Sequence, residues 1–382
     1  MYESINKYID ILVMFSKPDE PLWNIESMKY NRSPVWNYVD GCMMTSLLEL
    51  YKTTKIDKYL AFVVEFVDFY VYEDGTIKGY DIEKFSTDDV CESRILFDLY
   101  KFTSDIKYLK AIEYTRQQII KHPRTNEGNF WHKKIYPNQV WLDGLYMMMP
   151  FYIQYEKYLN NKQNYKDIVD QFRNVRLRMF DENKQLYYHG YDATKSIFWA
   201  DEETGLSKSF WLRAMGWFIV ALVDVIEYLE ETDMDEKTTL TNIFTEAIQG
   251  ILQYQDQKTK LFYDVVDKQT HPGNYLETSG SAMIAYAILK GTRLGLLNTT
   301  YLQRGIEIFD GICHHFLQEE DGDLNLLNIC LVSGLGPENN LRRDGTFEYY
   351  ISEPIVENDA KGVAPFIMAY VERIRQQKNQ IN

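Results

Sequence analysis

The sequence predicts an all-α fold, an (α/α)6 barrel in which six helical hairpins close into a ring. Amphipathic helical periodicity dominates the 382 residues. A short aromatic or β-prone stretch recurs six times between helices, and no Pro/Gly/Ser-rich linker or low-complexity tract divides the chain. We therefore expect one domain over residues 1–382, with short β-hairpin-like loops at a central cleft.

The individual elements follow from the spacing of apolar residues. Helices are predicted at residues 36–53, 57–72, 88–103, 107–121, 141–160, 165–178, 209–231, 237–255, 277–293, 299–315 and 361–377. The strand-like pieces lie at residues 21–25, 75–80, 128–132, 184–189, 259–263 and 322–327. Each interval holds one pair of helices, and a sixfold recurrence favours a closed ring over an open solenoid, which would need polar capping repeats. An irregular array of helices is the alternative.

Composition and charge limit the classes of function. Aromatic residues make up 15% of the chain, with 30 Tyr and 7 Trp, which indicates either ring faces for a carbohydrate or a Tyr-rich core. The formal net charge of -15 and the lack of an extended basic face argue against a nucleic-acid partner. The four cysteines are widely scattered, so they predict buried thiols and neither disulfides nor a zinc site.

The N-terminal segment bears on location. Its apolar run, Tyr8 to Phe15, is too short for a signal peptide or a membrane span. We therefore expect a cytoplasmic protein without a membrane partner, present as a monomer or homodimer. The run Cys313-His314-His315 does not predict a metal site, because adjacent helical residues point in different directions.

The segment from Gly128 to Met147 is the most informative part of the chain. Asp143 stands at the start of an aromatic and apolar helix, shortly after a turn that carries His132 and Lys133. A carboxyl group partly withdrawn from water suits a residue that must give and then take a proton. The nearby cationic turn suits an anionic, ring-shaped ligand. A plain N-cap role for Asp143 is the alternative, since Asp is a favoured cap before an apolar run.

Five blocks of sequence carry a family resemblance. They are FWHKKIYP at 130–137, WLDGLYM at 141–147, WLRAMGW at 211–217, GNYLETSGS at 273–281 and EPIVENDAKG at 353–362. In this order they resemble the unsaturated rhamnogalacturonyl hydrolases of glycoside hydrolase family 105, and the resemblance covers the chain from about residue 85 to 370.

The resemblance implies an (α/α)6 barrel and a pectin-degrading enzyme. Its substrate would be a small oligosaccharide whose non-reducing end carries a 4,5-unsaturated galacturonyl residue. Such enzymes hydrate the vinyl ether of that sugar: an aspartate protonates C4 and activates a water that adds at C5, and the resulting hemiketal breaks down and releases the aglycone. The resemblance implies no metal ion and no cofactor.

The resemblance also assigns site residues. Asp143 matches the general acid and base, and Asp88 matches a second carboxylate that faces the substrate. His189 matches a hydrogen-bonding partner of the unsaturated sugar, and Arg213 offers the planar fork that a carboxylate prefers. The other substrate-binding candidates are His132, Lys133, Tyr146, Met147, Trp211, Trp217 and Lys361.

Several of these residues also have a structural interpretation. Asp88 could cap the helix that follows it, and a His after a strand, such as His189, is more often structural. Without the family resemblance, Arg213 would be an ordinary ion-pair partner and Trp217 a core residue.

Three other functions fit parts of the sequence. An unsaturated glucuronyl hydrolase would share the barrel and the vinyl ether chemistry and would differ in the loops around the +1 sugar. A sugar epimerase on the same barrel would need paired His residues at inner-helix ends, and the six His of this chain are poorly placed for that. A non-catalytic sugar-binding protein would have no need of Asp143 in an apolar setting.

Overall fold

The computed structural model describes residues 2–320 and 323–381. The helices in these residues are α1 Tyr2–Phe15, α2 Ile25–Lys29, α3 Tyr38–Thr54, α4 Asp57–Asp68, α5 Thr87–Cys91, α6 Leu96–Thr103, α7 Ile106–Lys121, α8 Leu142–Tyr158, α9 Tyr165–Met179, α10 Leu212–Ile226, α11 Met234–Leu252, α12 Thr278–Arg293, α13 Leu302–His315, α14 Phe347–Ile351 and α15 Ala360–Ile381. The strands are β1 Gln139–Trp141, β2 Phe180–Asp181, β3 Leu186–Tyr187, β4 Gly190–Asp192, β5 Leu317–Glu320, β6 Asp323–Leu326, β7 Ile329–Cys330 and β8 Ile355–Val356.

The inner helices form a closed ring. In order around it they are α3, α5 with its continuation α6, α8, α10, α12 and α15, and α15 packs against α3 to complete the circle. The outer helices α4, α7, α9, α11 and α13 each pack against the inner helix that precedes them in the chain. The predicted (α/α)6 barrel is therefore confirmed, together with all eleven predicted helical segments.

The sixth hairpin joins the two ends of the chain. Helix α1 was not among the predicted helices, yet it pairs with α15: the Tyr370 hydroxyl donates to Asn6 Oδ1 over 2.9 Å, and the rings of Tyr2 and Tyr370 meet edge to face at 5.1 Å. Its buried residues are spaced as one helical face, at Ile5, Tyr8, Ile9 and Leu12. That spacing was available in the sequence and would have predicted the twelfth helix of the ring.

The inner helix α10 is enclosed by protein on all sides. Every residue of α10 is buried, because α8, α11 and α12 surround it. Among the helices of the described residues, none is long and apolar enough to cross a membrane.

The recurring strand-like pieces are mostly single bridges and not strands. Ile77, Phe130 and Tyr263 each make one isolated β-bridge, and residues 21–25 lead directly into α2. The piece at 184–189 contains β3, and the piece at 322–327 contains the whole of β6, although Gly322 lies outside the described residues.

One strand pair, which the sequence did not predict, builds the site. Strand β1 lies antiparallel to β4 with Trp141 opposite Gly190, and the Leu142 amide donates to the His189 carbonyl over 3.1 Å. Gly190 is needed at this point, since a Cβ there would lie 2.3 Å from Leu335 Cδ1. The pairing places the start of α8 beside His189.

Candidate active site

A cavity of about 440 Å³ opens at the end of the ring where α8 begins. Its walls come from the loop before α3, the start of α5, the segment 132–147 and the loop after β7. The sequence-predicted site residues that line it are Asp88, His132, Lys133, Asp143 and Met147.

Asp143 and His189 form the pair of greatest chemical interest. Oδ2 of Asp143 lies 3.1 Å from Nε2 of His189, yet both atoms are buried and neither makes a hydrogen bond of good geometry with any described residue. Buried polar atoms are nearly always satisfied, so two unsatisfied ones side by side at a cavity mark a position for a ligand group or a water.

The other ring nitrogen of His189 is held by Tyr350. Nδ1 lies 2.6 Å from the Tyr350 hydroxyl. Burial, followed by the nearby Tyr349 and Asp143, raises the pKa of Tyr350 well above 10, so this hydroxyl keeps its proton. When Tyr350 donates to Nδ1, the imidazole proton resides on Nε2, beside Asp143 Oδ2 but not in line with it.

Asp88, in the lining of the same cavity, forms an ion pair. Lys133 Nζ donates to Asp88 Oδ2 over 2.5 Å, and His132 Nε2 lies 3.8 Å from Asp88 Oδ1. Burial alone would lower the pKa of Lys133, but the Asp88 carboxylate raises it above its ordinary value. Burial, and then the charge of Lys133, lower the pKa of His132 well below 6.5. This wall of the cavity therefore carries one carboxylate, one ammonium group and a neutral imidazole.

Trp141 is fixed in the wall between these groups. The His132 ring stacks on it with centroids 4.2 Å apart and an angle of 18°, and the Tyr136 ring lies 4.7 Å away. The Trp141 indole donates to Gln139 Oε1 over 3.1 Å. Gly144 makes room for the stack, since a Cβ there would approach His132 Nδ1 to 3.2 Å. A rigid aromatic wall of this kind suits a sugar ring.

Three predicted aromatic residues lie away from the cavity. Tyr146 and Trp217 stack on each other at 4.4 Å in the core of the ring. Trp211 lies behind His189, with ring centroids 4.9 Å apart, and its indole donates to Asp264 Oδ1 over 3.0 Å. The first two pack the barrel, and the third positions His189, so none of the three lines the cavity as the sequence predicted.

Arg213 is also remote from the cavity. Its Nε donates to Ser279 Oγ over 2.7 Å, one terminal nitrogen lies 3.5 Å from Glu277 Oε1, and the carbonyls of Cys330 and Leu331 accept from the remaining N–H groups. The side chain is 1% exposed. Each of its side-chain nitrogens donates to an acceptor inside the barrel, so the structure does not support the predicted contact between Arg213 and a uronate.

Lys361 lies one residue behind the cavity wall. It is buried, with Nζ 3.0 Å from Asp359 Oδ1 and 3.6 Å from Glu26 Oε2. Glu26 lines the cavity. Lys361 can therefore influence a ligand only through Glu26.

Sequence reasoning missed two loops that line the cavity. The loop before α3 contributes Arg32, Asn37 and Tyr38, and the loop after β7 contributes Ser333 and Arg343. The first loop precedes the part of the chain that carries the family resemblance, and the second lies between two of its blocks. Asn37 had a local signal as the N-cap of α3, where its side chain accepts from the Val39 amide over 2.8 Å, but a cap signal does not indicate a ligand.

Arg343 is placed by a glycine. A Cβ on Gly334 would lie 3.2 Å from Arg343 Nη1 and 3.3 Å from Trp141 Cζ3, so the guanidinium extends across Gly334 beside the indole. Within the described part of the chain, Arg343 has no carboxylate partner. It is a cation of the cavity that remains available to a ligand.

The buried neutral His132 gives a testable pH dependence. The unfolded chain binds the imidazole proton near pH 6.5 and the folded protein does not, so this contribution to stability is complete above about pH 6.5 and is lost as the pH falls. We expect the free energy of unfolding of the wild type to fall by about 2 kcal/mol more than that of His132→Gln between pH 7 and pH 5. Denaturant titrations at the two pH values measure it.

The comparison between variants removes opposing contributions. Burial is the first cause that raises the pKa of Asp40 and of Asp89 to about 7, so these carboxyls favour the folded state as the pH falls. They are present in both proteins and cancel in the difference. The same pH dependence in wild type and variant would mean that His132 is not held neutral.

The six-hairpin ring, with a carboxyl group beside an imidazole at one end of it, has the architecture of the (α/α)6 glycoside hydrolases. The model of Glycosyl Hydrolase Family 88 matches residues 18–377. A solved family 105 glycoside hydrolase from C. acetobutylicum is 43% identical, with a TM-score of 0.86, over 91% of this chain and 96% of that chain. The unsaturated rhamnogalacturonyl hydrolase YesR of Bacillus subtilis is 26% identical over 75% of this chain and 77% of its own.

A more distant structure supports the fold alone. The unsaturated glucuronyl hydrolase of Bacillus sp. GL1, described as responsible for glycosaminoglycan degradation, is 13% identical with a TM-score of 0.68 over 99% of this chain and 97% of that chain.

The chain belongs to the glycoside hydrolase 88/105 family of unsaturated uronyl hydrolases. The family predicted from the five sequence blocks is thereby confirmed.

Proposed function

We propose that the protein removes the 4,5-unsaturated galacturonyl residue from the non-reducing end of rhamnogalacturonan-derived oligosaccharides by hydrating its vinyl ether. The observation that supports this most directly is the contact between Asp143 Oδ2 and His189 Nε2, two buried atoms 3.1 Å apart that have no hydrogen-bond partner among the described residues. The similarity to a family 105 hydrolase and to YesR favours the rhamnogalacturonyl substrate.

In the proposed mechanism Asp143 acts first as a general acid and then as a general base. As an acid it gives its proton to C4 of the unsaturated sugar, and as a carboxylate it then takes a proton from the water that adds at C5. His189 donates from Nε2 and orients the sugar or the water beside that oxygen. The hemiketal formed at C5 opens and releases the aglycone, so one water is consumed in each turnover. Rules for the separation of two carboxylates in retaining and inverting glycosidases do not apply to this chemistry.

Asp88 has a supporting role in this proposal. Its carboxylate is balanced by Lys133, so it remains an acceptor with a fixed position in the lining of the cavity that Asp143 also lines. An acceptor there holds a sugar hydroxyl or the attacking water. Met147 lines the cavity and gives an apolar surface for the ring.

The uronate carboxylate is assigned to Arg343. The cations that line the cavity are Arg32, Lys133 and Arg343, and Lys133 is already paired with Asp88. Neither Arg32 nor Arg343 has an ion pair with another described residue, but Arg32 lies over the Tyr30 ring, whereas Arg343 lies beside Gly334 and the Trp141 indole. A guanidinium can bind a carboxylate through two parallel hydrogen bonds. This role passes to Arg343 because Arg213 is engaged inside the barrel.

The test is incubation of the purified protein with lyase-generated unsaturated rhamnogalacturonan disaccharide. We expect the ultraviolet absorbance of the conjugated double bond to disappear while rhamnose is released. An unsaturated glucuronyl disaccharide is measured in parallel. Turnover of that compound alone would keep the vinyl ether chemistry and transfer the specificity to the glucuronyl class, and turnover of neither would contradict the proposed function.

A further inference from the structure

A second cavity, of about 750 Å³, lies beside the active-site cavity. Three segments line it, at residues 135–139, 192–197 and 337–339; we call it the outer groove. None of the sequence-predicted site residues belongs to it.

The outer groove and the active-site cavity share their dividing walls. Tyr136 and Trp141 face the active-site cavity, whereas Pro137 and Gln139 of the same segment face the groove. In the second wall, Ser333 and Arg343 face the cavity and Pro337 lines the groove. A buried cluster of Tyr136, Trp141, Trp199 and Leu335 fills the space between.

The β1–β4 ladder gives the distance between the active-site cavity and the outer groove. Trp141 pairs with Gly190 at the active-site cavity, and Gln139 pairs with Asp192 at the groove. Two residues of strand correspond to roughly 7 Å. A chain that leaves the active site over Trp141 therefore reaches the groove within a short distance.

The two spaces differ in charge. The active-site cavity has three cationic side chains in its lining, whereas the described residues that line the outer groove include no Lys or Arg. Its acids are Glu338 and Asp192. The Asp192 carboxylate is occupied by its own turn, since Oδ1 accepts from the Thr194 amide over 3.0 Å and Oδ2 from the Ser196 amide over 2.8 Å. The groove therefore disfavours a second uronate.

The remaining lining suits an uncharged sugar. Asn138, Gln139 and Ser196 offer neutral amide and hydroxyl groups, and Ile135 and Ile197 offer apolar surface. Ile135 is 63% exposed, so its side chain is accessible to a ligand in the groove. Neutral hydrogen-bonding groups set between apolar side chains match the alternating hydroxyl and C–H surface of a neutral pyranose.

We propose that the outer groove binds uncharged sugar residues attached to the leaving group, so that the enzyme favours substrates with a neutral extension beyond the +1 sugar. The proposal rests on the proposed function only for the identity of the first two sugars.

The test is calorimetric binding to Asp143→Asn, which removes turnover from the measurement. The ligands are the unsaturated rhamnogalacturonan disaccharide, the same disaccharide with two neutral hexoses on its reducing-end sugar, and an extension of equal length that begins with galacturonate. We expect the neutral extension to lower Kd roughly three- to tenfold, as one or two net hydrogen bonds would. The galacturonate extension should give no gain.

Filling the groove should remove this advantage. Ser196→Trp and Asn339→Trp, each added to Asp143→Asn, change exposed residues on opposite walls. Both should return Kd for the extended ligand to that of the disaccharide and leave the disaccharide itself unaffected. Thr238→Trp, at an exposed position on α11, is the control and should keep the advantage.

The outcomes separate the two proposals. Three results would contradict the proposed binding of neutral sugars in the outer groove. They are equal Kd for the short and neutral-extended ligands, no binding of either ligand, or a lower Kd of the extended ligand that persists in both groove variants. Disaccharide turnover by the wild type with equal Kd values would leave the proposed function intact. Tighter binding of the neutral-extended ligand without any turnover would support sugar binding in the outer groove and contradict the proposed hydrolase activity.

Discussion

Asp143→Asn is expected to lower kcat by about two to four powers of ten while KM changes little, because Asn preserves the shape of the carboxylate and cannot exchange the proton. Disappearance of the double-bond absorbance measures both constants. Asp143 Oδ2 approaches His189 Nε2 to 3.1 Å but makes no hydrogen bond of good geometry with a described residue, so the change breaks no structural hydrogen bond, and the midpoint of thermal unfolding should stay close to that of the wild type.

Asp89→Asn is the matched control for this prediction. Asp89 lies near the same end of the ring, next to Asp88, but it does not line the cavity. The same chemical change there should leave kcat within a small factor of the wild type. Near-normal kcat in Asp143→Asn would remove Asp143 from the mechanism, and an equally large loss in Asp89→Asn would indicate a general effect of charge and not proton transfer.

The fold was predictable because its main signal is local. The outer helices each bury one apolar face, and that periodicity is visible in the sequence. Inner helices such as α10 are buried on every face and are visible as long apolar runs. Two features depend on contacts between distant parts of the chain and could not be read in the same way. One is the pairing of α1 with α15, which joins the two ends of the chain. The other is the β1–β4 ladder, whose strands are too short to carry a period of two.

The site was predictable where residues lie next to one another in sequence. Asp143 and Met147 are four residues apart on α8 and both line the cavity. Tyr146 precedes Met147 by one step of the helix, about 100° around its axis, and it packs into the core instead. Family resemblance identifies such a block as a whole, and the helix geometry then separates the residues that reach the ligand from those that support them.

The sequence could not predict which charged side chains contact one another in the folded protein. Residue type makes Arg213 a good carboxylate ligand, but its actual partner, Glu277, is the N-cap of α12. Its other acceptors are Ser279 on α12 and the carbonyls of Cys330 and Leu331, at the end of β7 and just after it. Trp217 lies four residues after Arg213 on the same face of α10 and is buried with it. Arg343, by contrast, has no sequence signal beyond its charge, and only the close approach of Gly334 and Trp141 places it at the cavity.

Arg213→Ala is accordingly expected to destabilise the protein, by about 3–5 kcal/mol, because it leaves the buried Glu277 without its cationic partner. Glu277 also accepts from the Ser279 and Gly280 amides at the start of α12, so an uncompensated charge would weaken the contact between α10 and α12. Denaturant unfolding followed by circular dichroism measures the free energy of unfolding.

Arg343→Ala is the matched change at the cavity. It removes a guanidinium that has no ion-pair partner within the described residues, so the free energy of unfolding should stay near the wild-type value. KM for the unsaturated disaccharide should rise by roughly tenfold or more, the effect of losing a charge-assisted hydrogen bond. If Arg213→Ala instead kept wild-type stability and raised KM, while Arg343→Ala left KM unchanged, the uronate would be bound by Arg213, and the barrel would have to open around it when the substrate enters.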